Sequence, residues 1–212
     1  MPPPRPSDTF DNITTELTVA GWSVCRDFLP AMEIAALAEE LQARWRDGLF
    51  RAARVGSGDD LQLQPDIRND RVHWLAESAQ TPAEEPYFLA LENLRLAINR
   101  RLFLGLFSFE GHMTLYPPGS FYRRHLDQFQ GVAYRKVSVI LYLNSNWEAE
   151  HGGQLRIYLP DSGEDEFVDV LPRGGTLAVF LSDRFYHEVL PATRERMSIT
   201  GWFKVRTEQA GW

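Results

Sequence analysis

The sequence predicts a mainly β fold, in which helices from the first half of the chain flank a double-stranded β-helix (jelly roll) in the second half. Segments rich in helix-forming residues lie before residue 105, and after it short β-type runs follow one another without helices between them. Such closely spaced runs, separated by turn signals, are typical of an antiparallel sandwich or barrel. We therefore expect one domain at 11–212, with helical support at about 11–104 and the jelly roll at about 105–205, behind a Pro-rich, disordered leader at 1–10.

Two amphipathic helices are predicted in the first half of the chain. The first, at 31–50, follows Pro30 and repeats apolar residues at three- and four-residue steps: Ile34, Leu37, Leu41 and Trp45. The second, at about 86–103, begins at Pro86, which suits the first turn of a helix. Its apolar residues are Leu89, Leu91, Leu94, Leu96 and Ile98. Between the helices, Gly, Asp and Pro in the segment 55–66 predict a mobile loop.

Six β-type runs predict the strands of the jelly roll. In chain order they are HMTLY, VSVILYLN, QLRIYL, FVDVL, TLAVFL and MSITGWFKV. The first run leads into the turn PPGS, where proline and glycine favour a reversal of the chain.

The composition excludes several classes of protein. A net charge of −7 argues against a general nucleic-acid binder, although Arg123, Arg124, Arg135 and Lys136 form a local basic cluster. The longest apolar runs are too short to span a bilayer, and the N-terminus lacks the apolar run of a secretory signal. The single cysteine, Cys25, forms no internal disulfide, and we expect a small core residue there rather than a nucleophile. These features predict a cytoplasmic protein without nucleic-acid or membrane partners.

A candidate metal site begins at His125-Leu126-Asp127. Residues two apart on a strand point to the same face, so His125 and Asp127 could hold one ion together. Taken alone, the pair is also typical of a surface ion pair. A mononuclear iron site of two histidines and one carboxylate, which leaves other positions open, requires a second and distant histidine.

The chain offers four other histidines for that position. His187 directly follows the run TLAVFL and can lie at the mouth of a barrel. His151 is in a turn-like segment typical of a solvated loop, whereas His73 and His112 flank apolar residues and are expected to pack or to support the ligands.

The last strand adds a second chemical feature. Four of its residues share one parity and are expected to project from one face: Arg196, Ser198, Thr200 and Trp202. A buried guanidinium is costly unless it is paired, and a carboxylate is its best bidentate partner. Because no acidic residue shares that face of the strand, a ligand carboxylate is the expected partner of Arg196, and Tyr142 could add a hydroxyl.

The order of these motifs resembles the iron(II)- and 2-oxoglutarate-dependent oxygenases. An H-x-D motif is followed by a distant histidine and, nine residues after it, by an arginine. More narrowly, the chain resembles the prolyl hydroxylase branch that includes the animal hypoxia-inducible-factor hydroxylases and their bacterial relatives. The likeness covers roughly residues 50–205 and is carried by DIRNDRVHWL, LYPPGSFYRRHLD, ILYLN, GGQLRIY, FLSDRFYHEVLPA and RMSITGWF.

The resemblance implies a metal and cosubstrate site. Its iron(II) would be bound by His125, Asp127 and His187, and O2 would be the second cosubstrate, with ascorbate as a reductant. The end carboxylate of 2-oxoglutarate would bind Arg196 and Tyr142. Three further residues are assigned to the same pocket: Tyr116, Ser198 and Thr200.

The resemblance also implies a protein substrate that contains a target proline. Tyr122 and Trp202 match aromatic positions around that proline. Arg68, Asp70 and Arg135 match charged positions linked to closure of the loop 51–66 over substrate. The segment DQFQGVAYR is one residue longer than in the animal enzymes, and Ser198 replaces a small apolar residue, so substrate identity can differ.

The expected activity is hydroxylation of a prolyl residue, possible substrates being translation-machinery proteins such as an elongation factor or a ribosomal protein. Four alternatives remain open at this point. The chain could act on a small molecule or a non-prolyl side chain, or be a non-catalytic jelly-roll binding module. A zinc hydrolase could use the same ligands but has no use for Arg196, and a halogenase is disfavoured because Asp127 can ligate the metal.

Overall fold

A computed structural model describes residues 6–55, 62–76, 80–128, 133–160 and 166–206. Three α-helices are present in these ranges: α1 (Pro6–Val19), α2 (Ala31–Arg46) and α3 (Glu85–Leu102). The predicted leader at 1–10 is too long, because α1 begins at Pro6 and Phe10 packs edge-on against Phe28 at 6.3 Å between ring centroids. Residues 1–5 lie outside the described ranges.

Both predicted helices are confirmed, with small shifts at their ends. α2 ends at Arg46 rather than at residue 50, and Gly48 then turns the chain with a φ of +70°. α3 buries Leu91, Leu94 and Ile98 against the core, whereas Leu89 and Leu96 are exposed. Within the predicted loop 55–66, Val55 and Gln62 form an antiparallel bridge, and residues 56–61 between them lie outside the described ranges.

Eleven strands are present in the described parts of the chain. In chain order they are β1 (Trp22–Cys25), β2 (Arg51–Ala52), β3 (Arg71–Trp74), β4 (Ser108–Tyr116), β5 (Tyr122–His125), β6 (Arg135–Tyr142), β7 (Leu155–Tyr158), β8 (Phe167–Val170), β9 (Leu177–Leu181), β10 (His187–Val189) and β11 (Arg196–Lys204). They form an antiparallel seven-stranded sheet in the order β1-β9-β6-β11-β4-β3-β2 and an antiparallel four-stranded sheet in the order β5-β10-β7-β8.

The six predicted runs correspond to β4, β6, β7, β8, β9 and β11. The boundary placed near residue 105 is less sharp than predicted, since β1, β2 and β3 come from the first half and extend both edges of the larger sheet. These strands have two to four residues each, too few for a period-two pattern to stand out.

The two faces of the larger sheet have different roles. On β11 the odd-numbered residues Met197, Ile199 and Phe203 pack into the core beneath the helices. The even-numbered residues point toward the smaller sheet, and across β4, β11 and β6 they pair in rows such as Thr200 beside His112 and Ile140. A second apolar cluster fills part of the space between the sheets. The described helices include none that is long and apolar enough to cross a membrane.

Candidate active site

A cavity of about 450 Å³ lies between the two sheets, and its wall contains His125, Asp127, His187 and Arg196. The potential ligand atoms of the two histidines and the aspartate lie within 4.8 Å of one another. His125 Nε2 is 3.7 Å from Asp127 Oδ1, and His187 Nε2 is 3.6 Å from Asp127 Oδ2. The residues that the spacing of the motifs singled out are therefore brought to one point.

Pairing within the smaller sheet positions the two histidines. His187 lies directly opposite His125, but Val189 lies opposite Tyr122, so β5 carries one extra residue between these pairs. This β-bulge lets Tyr122 and His125, three residues apart, both line the cavity. Each histidine Nδ1 contacts a backbone carbonyl, that of Arg123 at 2.7 Å and that of Phe185 at 3.1 Å, which leaves Nε2 as the atom directed at Asp127.

The larger sheet holds the carboxylate. Ser138 Oγ donates a hydrogen bond to Asp127 Oδ2 at 2.6 Å and lies 2.9 Å from Ser182 Oγ. Burial opposes ionisation of Asp127, but the adjacent His187 and His125 and the Ser138 hydroxyl outweigh it and hold its pKa well below the usual range. Burial, with the neighbouring His125, lowers the pKa of His187 to about 4, so its imidazole is neutral and able to bind a metal near pH 7.

Arg196 lies on the same cavity wall and is only 2% exposed. Its Nε donates to the carbonyl of Gly153 at 2.8 Å, and its Nη1 reaches Ser198 Oγ only at 3.5 Å. Gly153 has a φ of +69°, and a Cβ there would lie 3.2 Å from Arg196 Cδ, so glycine permits this approach. Among the described residues, no carboxylate forms an ion pair with Arg196.

Two tyrosines flank the Arg196 guanidinium. The Cζ of Arg196 lies 5.0 Å from the ring centroids of both Tyr116 and Tyr142. Tyr116 lines the cavity. Tyr142 is fully buried beside it, and burial raises its pKa to about 12 although the adjacent Arg196 guanidinium opposes the rise. Its hydroxyl makes no hydrogen bond of normal geometry within the described residues, and Arg196 is the polar group beside it. A buried guanidinium without an acid and a buried hydroxyl without such a hydrogen bond are together suited to a ligand carboxylate.

These residues fit a metal ion and a dicarboxylate ligand. Two imidazoles and one carboxylate are the donor set of mononuclear iron(II) sites that keep positions open. Thr200 adds a hydroxyl-bearing residue to the cavity wall, whereas Ser198 is fully buried beneath Arg196 and reaches the cavity only through that residue.

The predicted substrate residues lie farther along the same wall. The ring of Tyr122 stacks on His125, with centroids 3.5 Å apart. Trp202 is 6% exposed, and the Arg135 guanidinium lies 3.7 Å from its ring centroid. Its Nε1 makes no hydrogen bond to any residue in the described ranges. Arg135 pairs with Glu110 at 2.7 Å.

Arg68 and Asp70 form a buried ion pair at 2.6 Å. Arg68 also covers the ring of Tyr122, with Cζ 4.2 Å from its centroid. Arg68 lines the cavity, whereas Asp70 lies behind it and acts on the cavity wall by holding the Arg68 guanidinium. Arg54 and Val55, within the predicted closing loop 51–66, line the cavity. Residues 129–132 of the variable segment DQFQGVAYR lie outside the described ranges.

Several residues of the site carried no distinctive sequence signal. Ser138, which orients Asp127, is a small polar residue within an apolar run. His112 lines the cavity, with Nδ1 2.8 Å from Thr114 Oγ1 and its ring edge-on to Trp74 at 4.9 Å. Burial lowers the pKa of His112 to about 4, so it is a neutral wall residue, consistent with its expected packing role.

Three other predictions concern residues away from the cavity. His73 packs against Phe50, with ring centroids 5.8 Å apart. His151 lies in a 3-10 helix (Ala149–His151), where its Nδ1 accepts from the backbone N–H of Glu148 at 2.9 Å. Burial raises the pKa of the Cys25 thiol to about 11, and its side chain packs against the core, as expected for a structural cysteine.

Comparison with known proteins agrees with this geometry. Residues 111–204 match the 2OG-Fe(II) oxygenase superfamily. Human Egl nine homolog 1 is 32% identical over 199 residues, which cover 90% of this chain but only 45% of that relative. The chain thus spans about half the length of a curated relative that it matches.

Two solved structures extend the comparison across the fold. A Pseudomonas putida prolyl-4-hydroxylase is 45% identical and superposes with a TM-score of 0.84, over 93% of this chain and 100% of that one. A Trichoplax adhaerens prolyl hydroxylase, in complex with a peptide fragment of the hypoxia-inducible-factor oxygen degradation domain, is 25% identical, with a TM-score of 0.83 over 94% of this chain and 90% of that one.

Proposed function

Because the chain belongs to the 2OG-Fe(II) oxygenase superfamily, and to its prolyl hydroxylase type, we propose that it hydroxylates a prolyl residue of a protein substrate. The observation that carries this proposal is the presence of Arg196, buried without an acidic partner among the described residues, in the same cavity as the His-Asp-His triad. A metal-binding module without oxygenase chemistry would have no need of that second feature.

His125, Asp127 and His187 are the proposed iron(II) ligands. When bound, iron(II), 2-oxoglutarate and O2 together replace a substrate C–H bond by C–OH, as the cosubstrate is converted to succinate and CO2. The protein orients the ligands before the metal binds, since both histidines are fixed through Nδ1 and Ser138 fixes the carboxylate. Such outer contacts keep the ligand atoms at one point and raise metal affinity.

The guanidinium of Arg196 and the hydroxyl of Tyr142 are proposed to bind the distal carboxylate of 2-oxoglutarate. The carboxylate would pair with the guanidinium and accept a hydrogen bond from the hydroxyl. Tyr116 and Thr200 would contact the rest of the cosubstrate, and Ser198 would orient the arginine through its 3.5 Å contact.

Tyr122 and Trp202 are proposed to hold the target proline between them. Tyr122 stacks on a proposed metal ligand, so a ring packed against it would lie close to the reacting site. The indole N–H of Trp202, unpaired among the described residues, supplies a donor for a backbone carbonyl of the substrate. Arg68, paired with Asp70, packs on the ring of Tyr122, and Arg135, paired with Glu110, packs on that of Trp202, so the two ion pairs would fix the two aromatic rings. Closure of the loop 51–66 would exclude water.

The proposed substrates are proteins of the translation machinery, such as an elongation factor or a ribosomal protein, by resemblance to bacterial members of the branch. The proposal includes a cytoplasmic location, consistent with the single cysteine, and ascorbate as a reductant for the iron.

Two experiments test this function. Anaerobic addition of Fe(II) and 2-oxoglutarate should give a weak visible charge-transfer band in the folded protein, and a metal-loaded sample without it would contradict the oxygenase assignment. Mass spectrometry of the host proteome, treated with wild-type protein or with Asp127→Ala, should then reveal proline residues that gain one oxygen atom only with the wild type. Modification of another side chain or of a small molecule would replace prolyl hydroxylation as the activity.

A further inference from the structure

Arginines of two kinds lie on the cavity wall or beside it: Arg54, Arg68 and Arg135 line the cavity, and Arg123 and Arg124 precede the cavity residue His125 on β5. Arg68 and Arg135 are each paired with a carboxylate and covered by an aromatic ring. Arg54, Arg123 and Arg124, which we call the rim arginines, are exposed, and within the described ranges none of them forms an ion pair. In a chain of net charge −7, three exposed arginines that form no ion pair with another described residue give this side of the cavity a local positive field.

Arg124 is held in a fixed position although it is exposed. Its Cζ lies 4.0 Å from the ring centroid of Tyr158 and 5.1 Å from that of Tyr186. Tyr186 lines the cavity and is 47% exposed, and the Tyr158 hydroxyl is fixed by a 2.6 Å hydrogen bond to Glu188. Two aromatic contacts hold the guanidinium, and its N–H groups remain available to a carboxylate.

The other two arginines extend the positive rim. Arg123 precedes Arg124 on β5, its backbone N–H donates to Ile67 at 2.8 Å, and its guanidinium covers the ring of Phe121 at 4.6 Å. Arg54 lines the cavity after β2, in the larger sheet, whereas β5 belongs to the smaller one. Positive charge therefore lies close to the cavity both on β5, in the smaller sheet, and directly after β2, in the larger one.

We propose that the substrate segment carries Asp or Glu side chains beside the target residue, and that Arg124, with Arg123 and Arg54, binds them. This inference rests on the proposed prolyl hydroxylation and specifies its substrate class as an acidic peptide segment. Arg124 immediately precedes His125 in the chain, and an extended peptide advances about 3.3 Å per residue, so the carboxylates lie within about three residues of the target. Planar guanidinium groups bind carboxylates in a bidentate manner, which gives the rim selectivity as well as attraction.

The test uses the iron-loaded protein with 2-oxoglutarate and synthetic peptides that contain one proline in an Ala/Ser background. The flanking residues are Glu, Gln or Lys, and initial rates of hydroxylation give kcat and KM for each peptide. Binding without turnover is measured in parallel by fluorescence anisotropy, with Mn(II) in place of iron. The variants are Arg124→Glu, Arg123→Glu and Arg54→Glu, and Arg100→Glu, an exposed arginine of α3, makes the same charge change away from the rim.

We expect the Glu-flanked peptides to have a lower KM than the Gln-flanked ones by about tenfold at low salt, since exposed ion pairs are individually weak and several act together. Added salt should reduce the difference. Arg124→Glu should abolish it and shift the preference toward Lys-flanked peptides, whereas Arg100→Glu should leave the preference unchanged.

The possible failures are distinguishable. Hydroxylation without an acidic preference, or a preference that all three rim variants retain, would overturn the inference and leave prolyl hydroxylation standing. Tight binding of acidic peptides that depends on Arg124, without turnover, would support the rim but refute prolyl hydroxylation. Peptides that neither bind nor react would count against both.

Discussion

Replacement of Arg196 by alanine should weaken 2-oxoglutarate binding without a loss of metal binding. The side chain is 2% exposed, and its one short hydrogen bond is the 2.8 Å contact with Gly153. Removal of one partner from a buried charge pair costs about 2–5 kcal/mol, or roughly 30-fold to a few thousandfold in Kd. The remaining hydroxyl of Tyr142 and admitted water would offset part of this cost, so an increase in Kd of about a hundredfold is expected.

The assay separates the two binding events. Isothermal titration calorimetry with Mn(II) alone, and then with 2-oxoglutarate at saturating Mn(II), gives each Kd in turn. Arg196→Lys keeps the charge but loses the planar fork, so its Kd for 2-oxoglutarate should lie between those of the wild type and Arg196→Ala. Equal losses of metal and 2-oxoglutarate affinity in both variants, or a large fall in melting temperature, would instead identify Arg196 as a structural residue.

Three further predictions follow from groups around the cavity. Tyr142→Phe removes a buried hydroxyl that makes no hydrogen bond of normal geometry to the described residues, so the free protein should unfold at about the same temperature or higher, while the Kd for 2-oxoglutarate should rise about tenfold; a destabilised protein with unchanged affinity would contradict this. Ser138→Ala frees the Asp127 carboxylate and should raise the Kd for Mn(II) about tenfold or more by calorimetry, an effect that Ser138→Thr, which keeps a hydroxyl, should partly reverse. In metal-free protein the pKa of His187 is about 4 when folded and about 6.5 when unfolded, so the unfolded state binds a proton that the folded state does not. His187 should therefore contribute a fall of about 1.4 kcal/mol per pH unit in the free energy of unfolding as the pH drops from about 6.5 to 4, in addition to the fall that His112 contributes. His187→Gln should have a correspondingly shallower slope in urea titrations, and equal slopes would refute the assignment.

The metal triad could be predicted from the sequence because its geometry is mostly local. β5 ends at His125 and Asp127 lies two residues beyond it, so the predicted shared strand face is not formed, and the two side chains are close because they are neighbours in sequence. The run before His187 predicts its position at a strand end. The parity of β11 likewise places Arg196, Thr200 and Trp202 on one face, and all three line the cavity. In a long strand successive side chains point to opposite faces of the sheet, so the face of each residue can be predicted from whether its number is odd or even.

The support of the site depends on contacts between distant segments, which a pattern along one strand does not record. Ser138 lies in an apolar run, and its role depends on a pairing that brings β6 beside Asp127. The extra residue in β5 lets Tyr122 line the cavity together with His125, but no sequence pattern marks the position of this bulge. The short strands β1, β2 and β3 also carry too few residues for their burial to show as a pattern.

The two sheets supply different groups to the site, which explains why one cavity can hold both a metal and a dicarboxylate. His125 and His187 belong to the smaller sheet, whereas Asp127 is bound through Ser138 to the larger sheet, which also carries Arg196. A metal bound by all three residues would therefore link the two sheets at the point where their separation defines the cavity. The arginine belongs to β11 and donates to the Gly153 carbonyl, so it can bind a carboxylate at a distance fixed by β11 rather than by the histidines. Changes in Arg123 and Arg124 can then alter which peptide is bound while this internal geometry stays the same, because both are exposed residues of β5 that lie beside the cavity wall and not on it.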